Sequence, residues 1–374
     1  EFRRVLFRSI GKTINGEEIT PNLNRLTEEI AYFENFHHQA AQGRTVDAEF
    51  VVNASLYPLY TGAVYREYPD RDYDALPKLL KAEGYSAYAF HVYDKTFWNR
   101  HVMYRHYGLD YFYGKGDFAP GERVGWDLGD EPMLEQMTDI LLEQPKPFYA
   151  LAVLLSSHHP FLYVPAKYKT LDVGELEGTL EGNYLHAVHY VDYAVGKLID
   201  RLKREGLWDN TIVVLYGDHN AGLSQYDKLG ELLGFEADEL AVLEMEHEVP
   251  LFFHIPGAER PGVHSQAAGM IDIAPTILHL LGIPAEDKLH MGEDLFVKKD
   301  KPVIFRYGSF TDGNVFYHAS PDGVFEKGVC YNLKTRKAAD LNACRAGHEE
   351  TIRQLSISDN LIRHDLIKKF KSER

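Results

Sequence analysis

Hydrophobic positions along the chain fall into two alternating patterns. Four short runs rich in β-branched and aromatic residues, each bounded by Gly, Pro, Asp or Asn, are typical of buried strands, and they cover residues 86–93, 147–155, 211–216 and 249–255. Between them, apolar positions recur every three or four residues, as on one face of a helix, over residues 21–30, 73–82, 131–142 and 184–204. Alternating strands and helices predict an α/β fold around a mainly parallel central sheet flanked by helices.

The longest helical segment, residues 184–204, shows the helical pattern most clearly. Its apolar stripe at intervals of three and four consists of Leu185, Val188, Val191, Val195, Leu198 and Leu202. Such a stripe is the face by which a helix packs on a sheet.

The pattern changes after about residue 300. Short strand-like pieces are separated by Asp-Gly turns, which predicts antiparallel hairpins, and these pieces cover residues 303–307, 314–318 and 323–331. From Glu349 onwards the chain has the pattern of a polar helix. We therefore predict an α/β domain over residues 1–300 and a small antiparallel β subdomain with a terminal helix over residues 301–374. Within the first, residues 1–9 are expected to be non-native, because three arginines interrupt what should be a buried strand.

Composition and charge exclude several classes of protein. Apolar residues make up 45% of the chain and charged residues 26%, which is ordinary for a globular protein and excludes a disordered or fibrous chain. The formal net charge of −16 argues against a nucleic-acid partner, since that function needs clustered Lys and Arg. A protein this acidic needs a local cation to handle a phosphate ester, and a metal ion is the natural choice. No apolar run reaches the ~18 residues of a membrane span, as would also be true of a fragment of a membrane-anchored parent.

The chain contains two cysteines, Cys330 and Cys344. A bridge between them would close a loop of about 15 residues, worth roughly 3 kcal/mol on the chain-entropy model. A bridge would indicate an oxidising, external compartment. Two unpaired thiols are the alternative.

Asp218 and His219 follow the predicted strand 211–216 after Gly217. Ligands of open α/β sheets bind beyond the carboxyl ends of the strands, so this pair stands where a site is expected. One carboxylate oxygen and one imidazole nitrogen suit manganese or zinc. The alternative is a capping Asp beside a surface His.

A hydroxyl lies between a glycine and a predicted helical run in the segment Gln42-Gly43-Arg44-Thr45. One interpretation is that Thr45 caps the helix while Asp47 and Glu49 complement its dipole. The chemical interpretation is that the Thr45 oxygen, bound to a metal at a helix N-terminus, becomes alkoxide-like and attacks phosphorus.

Two further polar clusters follow predicted strands. In the segment 91–100, His91, Trp98 and Arg100 stand close together in the sequence; Arg100 could grip phosphoryl oxygens with two hydrogen bonds, and Trp98 offers an apolar wall. In Ser-Ser-His-His-Pro-Phe, His158 and His159 are adjacent and must point in different directions. At most one of these two histidines is therefore expected to face a site.

Four polar clusters beyond strand ends are harder to explain as surface decoration than any one of them. Together they resemble the lipoteichoic acid synthase branch of the sulfatase and alkaline phosphatase superfamily. The resemblance runs from about Ile10 into the C-terminal region and includes residues 191–198, 249–251 and 272–276. It implies a sulfatase-like α/β sandwich with a small C-terminal antiparallel subdomain.

The resemblance also implies a metal site. Thr45 would be both the nucleophile and a metal ligand, and Asp218 and His219 would bind Mn²⁺, with Mg²⁺ or Zn²⁺ as other candidates. The family has a further glutamate ligand at the end of its first strand, and counting back from Ile10 puts that position close to Arg3, where no glutamate stands.

For the substrate, the resemblance implies that His158 contacts the glycerophosphate and takes part in catalysis. His91, Trp98 and Arg100 would line the same pocket, and Arg100 would also act on the reacting phosphoryl group.

The expected activity is an extracytoplasmic, metal-dependent phosphoglycerol transfer from phosphatidylglycerol to a glycerol hydroxyl of a polyglycerolphosphate acceptor, through a phospho-threonine intermediate. The parent protein would be anchored by an N-terminal transmembrane region, with this domain either retained at the outer face of the cell membrane or released by cleavage. Sulfate-ester hydrolysis is disfavoured because Thr45, Asp47 and Glu49 replace the Cys/Ser, Pro and Arg of the formylglycine pattern. The alternatives are a phosphatase or phosphodiesterase of the same superfamily, and a non-catalytic glycerophosphate-binding module that lacks a full metal site.

Overall fold

The computed structural model describes residues 9–223, 227, 230, 231, 234, 236–258, 261–297 and 301–372. Of the segment 1–9 that the sequence marks as non-native, residues 1–8, including Arg3, lie outside the described residues.

The helices and strands of the described residues follow in chain order. The α-helices are α1 (Pro21–Glu29), α2 (Thr45–Ala54), α3 (Val64–Glu67), α4 (Leu76–Ala82), α5 (Arg100–His106), α6 (Asp130–Leu142), α7 (Leu180–Arg204), α8 (Glu239–His247), α9 (Ile273–Leu280), α10 (Arg345–Arg363) and α11 (Leu366–Ser372). The strands are β1 (Thr13–Ile14), β2 (Glu17–Glu18), β3 (Ala31–Phe33), β4 (Phe36–His37), β5 (Ser86–Phe90), β6 (Tyr111–Tyr113), β7 (Arg123–Val124), β8 (Asp127–Leu128), β9 (Phe148–Ala152), β10 (Val213–Tyr216), β11 (Leu251–His254), β12 (Gly262–His264), β13 (Ala268–Gly269), β14 (Val303–Ile304), β15 (Phe310–Thr311), β16 (Val315–His318), β17 (Val329–Asn332) and β18 (Lys337–Ala338).

The chain forms two compact units, each built from three segments. The first unit comprises residues 1–35, 88–95 and 111–265, and the second comprises residues 36–87, 96–110 and 266–374.

The first unit contains the strands that the sequence predicts as buried. One sheet has the order β10-β11-β3-β12, and another has the order β6-β5-β9. In the first sheet β10 and β3 pair antiparallel with β11, while β12 runs parallel to β3; β5 and β6 pair in parallel. The pairings among the described residues are therefore mixed, and the predicted α/β fold is confirmed.

Helix α7 organises the core of the first unit. Its predicted stripe is confirmed, because Leu185, Val188, Val191 and Val195 are all buried in one apolar cluster that also includes residues of α1 and α6. The same helix closes the start of α1, where the Asp192 carboxylate accepts the backbone N–H groups of Asn22 at 3.0 Å and Leu23 at 2.8 Å. These are two of the donors that a helix leaves unpaired at its N-terminus.

The second unit contains α2 and the C-terminal antiparallel sheet. That sheet has the order β14-β15-β16-β17-β18 with antiparallel pairs throughout, so the predicted hairpins are confirmed. The predicted terminal helix is two helices, α10 and α11, because Asp365 between them has a left-handed backbone with φ of 50°. Cys330 and Cys344 form a disulfide.

Candidate active site

Thr45 is the first residue of α2, a ten-residue helix whose residues are all buried. The residue that precedes the helix is Arg44, which has a φ of 51° and makes no side-chain capping hydrogen bond. Thr45 therefore occupies the first helical position, and the interpretation of its side chain as the N-cap is wrong. A hydroxyl in this position lies at the positive end of the helix dipole.

Asp47 closes the loop that leads into Thr45. Its Oδ2 accepts hydrogen bonds from the backbone N–H groups of Ala41 at 3.0 Å and Gly43 at 2.8 Å. The carboxylate lies so close to Gly43 that a Cβ there would overlap it, and the Cβ of Ala63 would be only 2.9 Å away. Position 43 therefore requires glycine, because any larger residue would collide with the Asp47 carboxylate.

Burial is the largest influence on the pKa of the Asp47 carboxyl. Burial raises the pKa of its carboxyl to about 7, against the lowering effect of the Ala41 and Gly43 N–H groups and of the positive charges of Arg306 and Arg44. The backbone contacts of Asp47 thus favour its ionised form in a place where desolvation disfavours it.

Arg100 is the first residue of α5, and its side chain has no exposed surface. Its Nε donates to Glu49 Oε1 at 2.9 Å and its Nη2 donates to the same oxygen at 2.6 Å. Tyr104 also donates to this carboxylate, from its hydroxyl to Oε2 at 2.7 Å. The structure therefore places the predicted phosphate-binding arginine in a buried ion pair with the helix that begins at Thr45.

Trp98 lies in a short turn that precedes α5. Both Trp98 and Asn99 have left-handed backbones, with φ of 58° and 61°, and the Asn99 side chain donates to the Tyr65 carbonyl at 2.9 Å. The guanidinium of Arg66 lies 4.3 Å from the centre of the Trp98 ring, a cation–π distance. The indole is half-buried, and its role as the apolar wall of a pocket stays a prediction.

Asp218 and His219 follow β10 after a single residue, Gly217, and are both buried. The Nδ1 atom of His219 lies 2.8 Å from the Asn220 carbonyl; because a carbonyl only accepts, Nδ1 is the donor in this contact. The Nε2 atom of the same ring lies 3.4 Å from Asp218 Oδ2. A carboxylate oxygen and an imidazole nitrogen this close together suit a shared cation.

His91 and His158 are held in the same way as His219. The Nδ1 atom of His91 lies 2.9 Å from the Val153 carbonyl, and that of His158 lies 2.7 Å from the His159 carbonyl. In each ring Nδ1 is therefore the donor to a backbone carbonyl. The His158 ring centre lies 4.0 Å from that of Trp126, which gives this imidazole an aromatic neighbour that sequence reasoning did not identify.

The donor chemistry of the first unit fits a divalent cation in part. Asp218 and His219 supply one oxygen and one nitrogen, the set that manganese and zinc accept. No cluster of three or more His, Cys, Asp or Glu side chains with metal-binding geometry occurs among the described residues. The expected glutamate position near Arg3 lies outside those residues.

The predicted site residues are distributed over both units. Thr45, Trp98 and Arg100 belong to the second unit, where Glu49 joins the helices of Thr45 and Arg100. The residues of the first unit are His91, His158, Asp218 and His219, and Asp218 and His219 lie beside each other. Within the described part of the chain, no helix is long and apolar enough to cross a membrane.

Comparisons with known proteins agree with the fold. A family model described as Sulfatase matches residues 7–283. The lipoteichoic acid synthase-like protein YvgJ of Bacillus subtilis is 35% identical over 369 residues, covering 96% of this chain and 58% of YvgJ. The lipoteichoic acid synthase of Staphylococcus aureus is 32% identical over 372 residues, covering 97% of this chain and 56% of that protein. The chain thus spans little more than half the length of these relatives.

Solved structures extend the agreement to three dimensions. The lipoteichoic acid synthase LtaP from Listeria monocytogenes matches with a TM-score of 0.89 and 31% identity, covering 97% of this chain and 90% of that one. A Vibrio parahaemolyticus protein of the alkaline phosphatase superfamily shares the fold, with a TM-score of 0.76 at 21% identity. Fold and family match together define a sulfatase-superfamily domain. The chain belongs to the lipoteichoic acid synthase family within that superfamily, which confirms the resemblance seen in the sequence.

Proposed function

We propose that this chain is the catalytic domain of a phosphoglycerol transferase that moves glycerophosphate from phosphatidylglycerol to a glycerol hydroxyl of a polyglycerolphosphate acceptor. The observation that carries the proposal is the position of Thr45. It is the first residue of a helix and follows a loop that Asp47 fixes by hydrogen bonds, and its Gly-Arg-Thr segment resembles the one that carries the family's nucleophile.

The environment of Thr45 separates this activity from sulfate-ester hydrolysis. The formylglycine pattern would need Pro and Arg at positions 47 and 49. Here Asp47 holds the loop and Glu49 holds Arg100. Both carboxylates are committed to contacts that the sulfatase residues could not make.

The reaction consists of two displacements at phosphorus. In the first, the Thr45 oxygen attacks the head-group phosphorus, the bond to the diacylglycerol oxygen breaks, and diacylglycerol leaves with a proton. This step gives a glycerophospho-threonine. In the second, an acceptor hydroxyl attacks the same phosphorus, the bond to Thr45 breaks, and Thr45 regains its proton while the acceptor grows by one unit.

The remaining predicted residues bind and orient the substrate. Arg100 stabilises charge on the phosphoryl oxygens, the electrostatic contribution that dominates phosphoryl transfer. His158 contacts the glycerol or relays a proton through Nε2, since its Nδ1 is held by a backbone carbonyl. His91 and Trp98 line the glycerophosphate pocket.

Asp218 and His219 are the proposed ligands of Mn²⁺, with Thr45 as a further ligand and Mg²⁺ or Zn²⁺ as other candidates. A divalent cation supplies Lewis-acid activation of a hydroxyl and neutralises phosphoryl charge when bound. We also propose that the domain works at the outer face of the cell membrane as part of a longer, anchored protein.

A product analysis tests the transfer reaction. The chain and an Arg3→Glu variant, which restores a carboxylate at the expected ligand position, are incubated with Mn²⁺, fluorescent phosphatidylglycerol and a glycerophosphate acceptor. We expect diacylglycerol and an acceptor longer by one unit in equal amounts. Diacylglycerol with free glycerophosphate alone would indicate a phosphodiesterase, and no turnover in either protein would contradict the enzymatic proposal.

A further inference from the structure

Two helices of the second unit meet at one buried carboxylate. Glu49 of α2 has no exposed surface, and it accepts hydrogen bonds from the Nε and Nη2 atoms of Arg100 and from the Tyr104 hydroxyl. Because two nitrogens of the guanidinium donate to the same carboxylate, the plane and direction of the Arg100 side chain are fixed.

The spacing of these residues along the two helices shows which helix faces meet at the Glu49 carboxylate. Glu49 lies four residues after Thr45, and Tyr104 lies four residues after Arg100. Residues four apart share one face of a helix. The carboxylate therefore lies on the Thr45 face of α2, and it is held by two residues from one face of α5.

A contribution to folding stability alone does not explain the buried Glu49–Arg100 ion pair. A buried ion pair is seldom more stabilising than apolar side chains of the same volume, because both charges lose their hydration. A fixed guanidinium is valuable, however, where an arginine must already point at developing negative charge before the reaction begins.

We infer that Glu49 is a positioning residue of the transfer reaction, which holds the Arg100 guanidinium in one orientation on the helix face that begins with Thr45. This inference rests on the proposed function, in which Arg100 acts on the phosphoryl group. Glu49 itself touches neither substrate nor metal in this account and acts through Arg100.

Three variants test the inference by kinetics. Glu49→Gln keeps the volume and one acceptor oxygen but removes the charge, and it should lower kcat/KM by about 10- to 100-fold, mainly through kcat. Tyr104→Phe leaves the ion pair intact and should change kcat/KM by less than about 3-fold. As a matched control, Asp192→Asn removes a buried carboxylate that caps α1 and should cost stability without a comparable loss of activity.

A double-variant cycle separates positioning from folding. In an Arg100→Lys background, Glu49→Gln should have almost no further effect on kcat/KM, because the group through which it acts is already gone. An equal effect in both backgrounds, or a loss of activity no larger than that of Asp192→Asn at equal loss of stability, would overturn the inference.

A nitrogen NMR measurement decides the question even without turnover. The Nε–H signal of Arg100, assigned by its absence in Arg100→Lys, should be resolved and slow to exchange in the unmodified chain, and displaced or broadened in Glu49→Gln. An unchanged signal would overturn the inference whatever the activity. Absence of turnover with the expected NMR change would instead contradict the proposed function while leaving the positioning of Arg100 intact.

Discussion

The predicted histidines of the first unit and the carboxylates around Thr45 in the second unit make different kinds of contact. In the first unit, His91, His158 and His219 each donate from Nδ1 to a backbone carbonyl, so the backbone fixes the orientation of each ring. In the second unit, side-chain carboxylates make the contacts: Asp47 accepts from the backbone of the loop before Thr45, and Glu49 accepts from Arg100 of α5.

This difference predicts different sensitivities. Backbone carbonyls stay in place when a neighbouring side chain is replaced, so the imidazoles of the first unit depend mainly on their own identity. Asp47 and Glu49 in the second unit are buried and hydrogen-bonded, so their replacement should disturb the groups that they position. The predictions below test this contrast in order of decreasing effect.

The largest effect is expected from the double variant Asp218→Asn/His219→Gln. Loss of both proposed ligands should abolish stoichiometric Mn²⁺ binding, since replacing even a supporting residue around a metal costs about 10- to 100-fold in affinity or activity. Metal content of the purified protein by mass spectrometry measures it. His189→Gln, which replaces a backbone-bonded histidine of the same unit, is the control and should bind metal normally. Undiminished metal in the double variant would contradict the ligand assignment.

The disulfide should matter next, and only to stability. Cys330 and Cys344 are 14 positions apart, so the double variant Cys330→Ser/Cys344→Ser should lower the free energy of unfolding by about 3 kcal/mol on the chain-entropy model. Denaturant unfolding of the variant and of the oxidised parent checks this. A fall in kcat larger than the fall in folded fraction would show that the bridge acts on the site as well.

Gly43→Ala should act on the loop before Thr45. The added Cβ would overlap the Asp47 carboxylate, and overpacking of this kind costs about 1–3 kcal/mol. We expect a matching fall in unfolding free energy together with a fall in kcat. Adding Ala63→Gly removes a second close neighbour of the new methyl group and should restore part of the stability. Unchanged activity in Gly43→Ala would mean that the loop tolerates displacement.

The smallest effect is expected from His290, a backbone-bonded imidazole of the second unit. Its Nε2 lies 2.7 Å from the Asp74 carbonyl, and burial lowers its pKa against the raising effect of Asp74. His290 is therefore protonated more readily in the unfolded chain than in the folded chain. The free energy of unfolding should fall as the pH drops below about 6.5. Denaturant unfolding between pH 8 and 5 should show a shallower fall for His290→Gln. Equal slopes would contradict the prediction.

The sequence predicts local features of this molecule well and distant contacts poorly. The stripe of α7 and the polar residues that follow β10 depend on nearby positions, and both are found. The three-residue strand β3 is too short for its pattern to stand out, yet it lies between β11 and β12. The Glu49–Arg100 pair joins residues 51 positions apart, and no local pattern encodes it. The start of α2 is ambiguous in the sequence for a different reason, because the left-handed backbone of Arg44 decides it and arginine is not a residue type that predicts this conformation.

The central claim is that Thr45 carries the transferred group. It is tested most directly by incubating the chain and its Arg3→Glu variant with Mn²⁺ and isotope-labelled phosphatidylglycerol, and measuring intact and peptide masses. We expect one glycerophosphate on the peptide that contains Thr45, absent from Thr45→Ala and discharged when acceptor is added. Turnover without a modified Thr45, or an equal mass increase in Thr45→Ala, would contradict it.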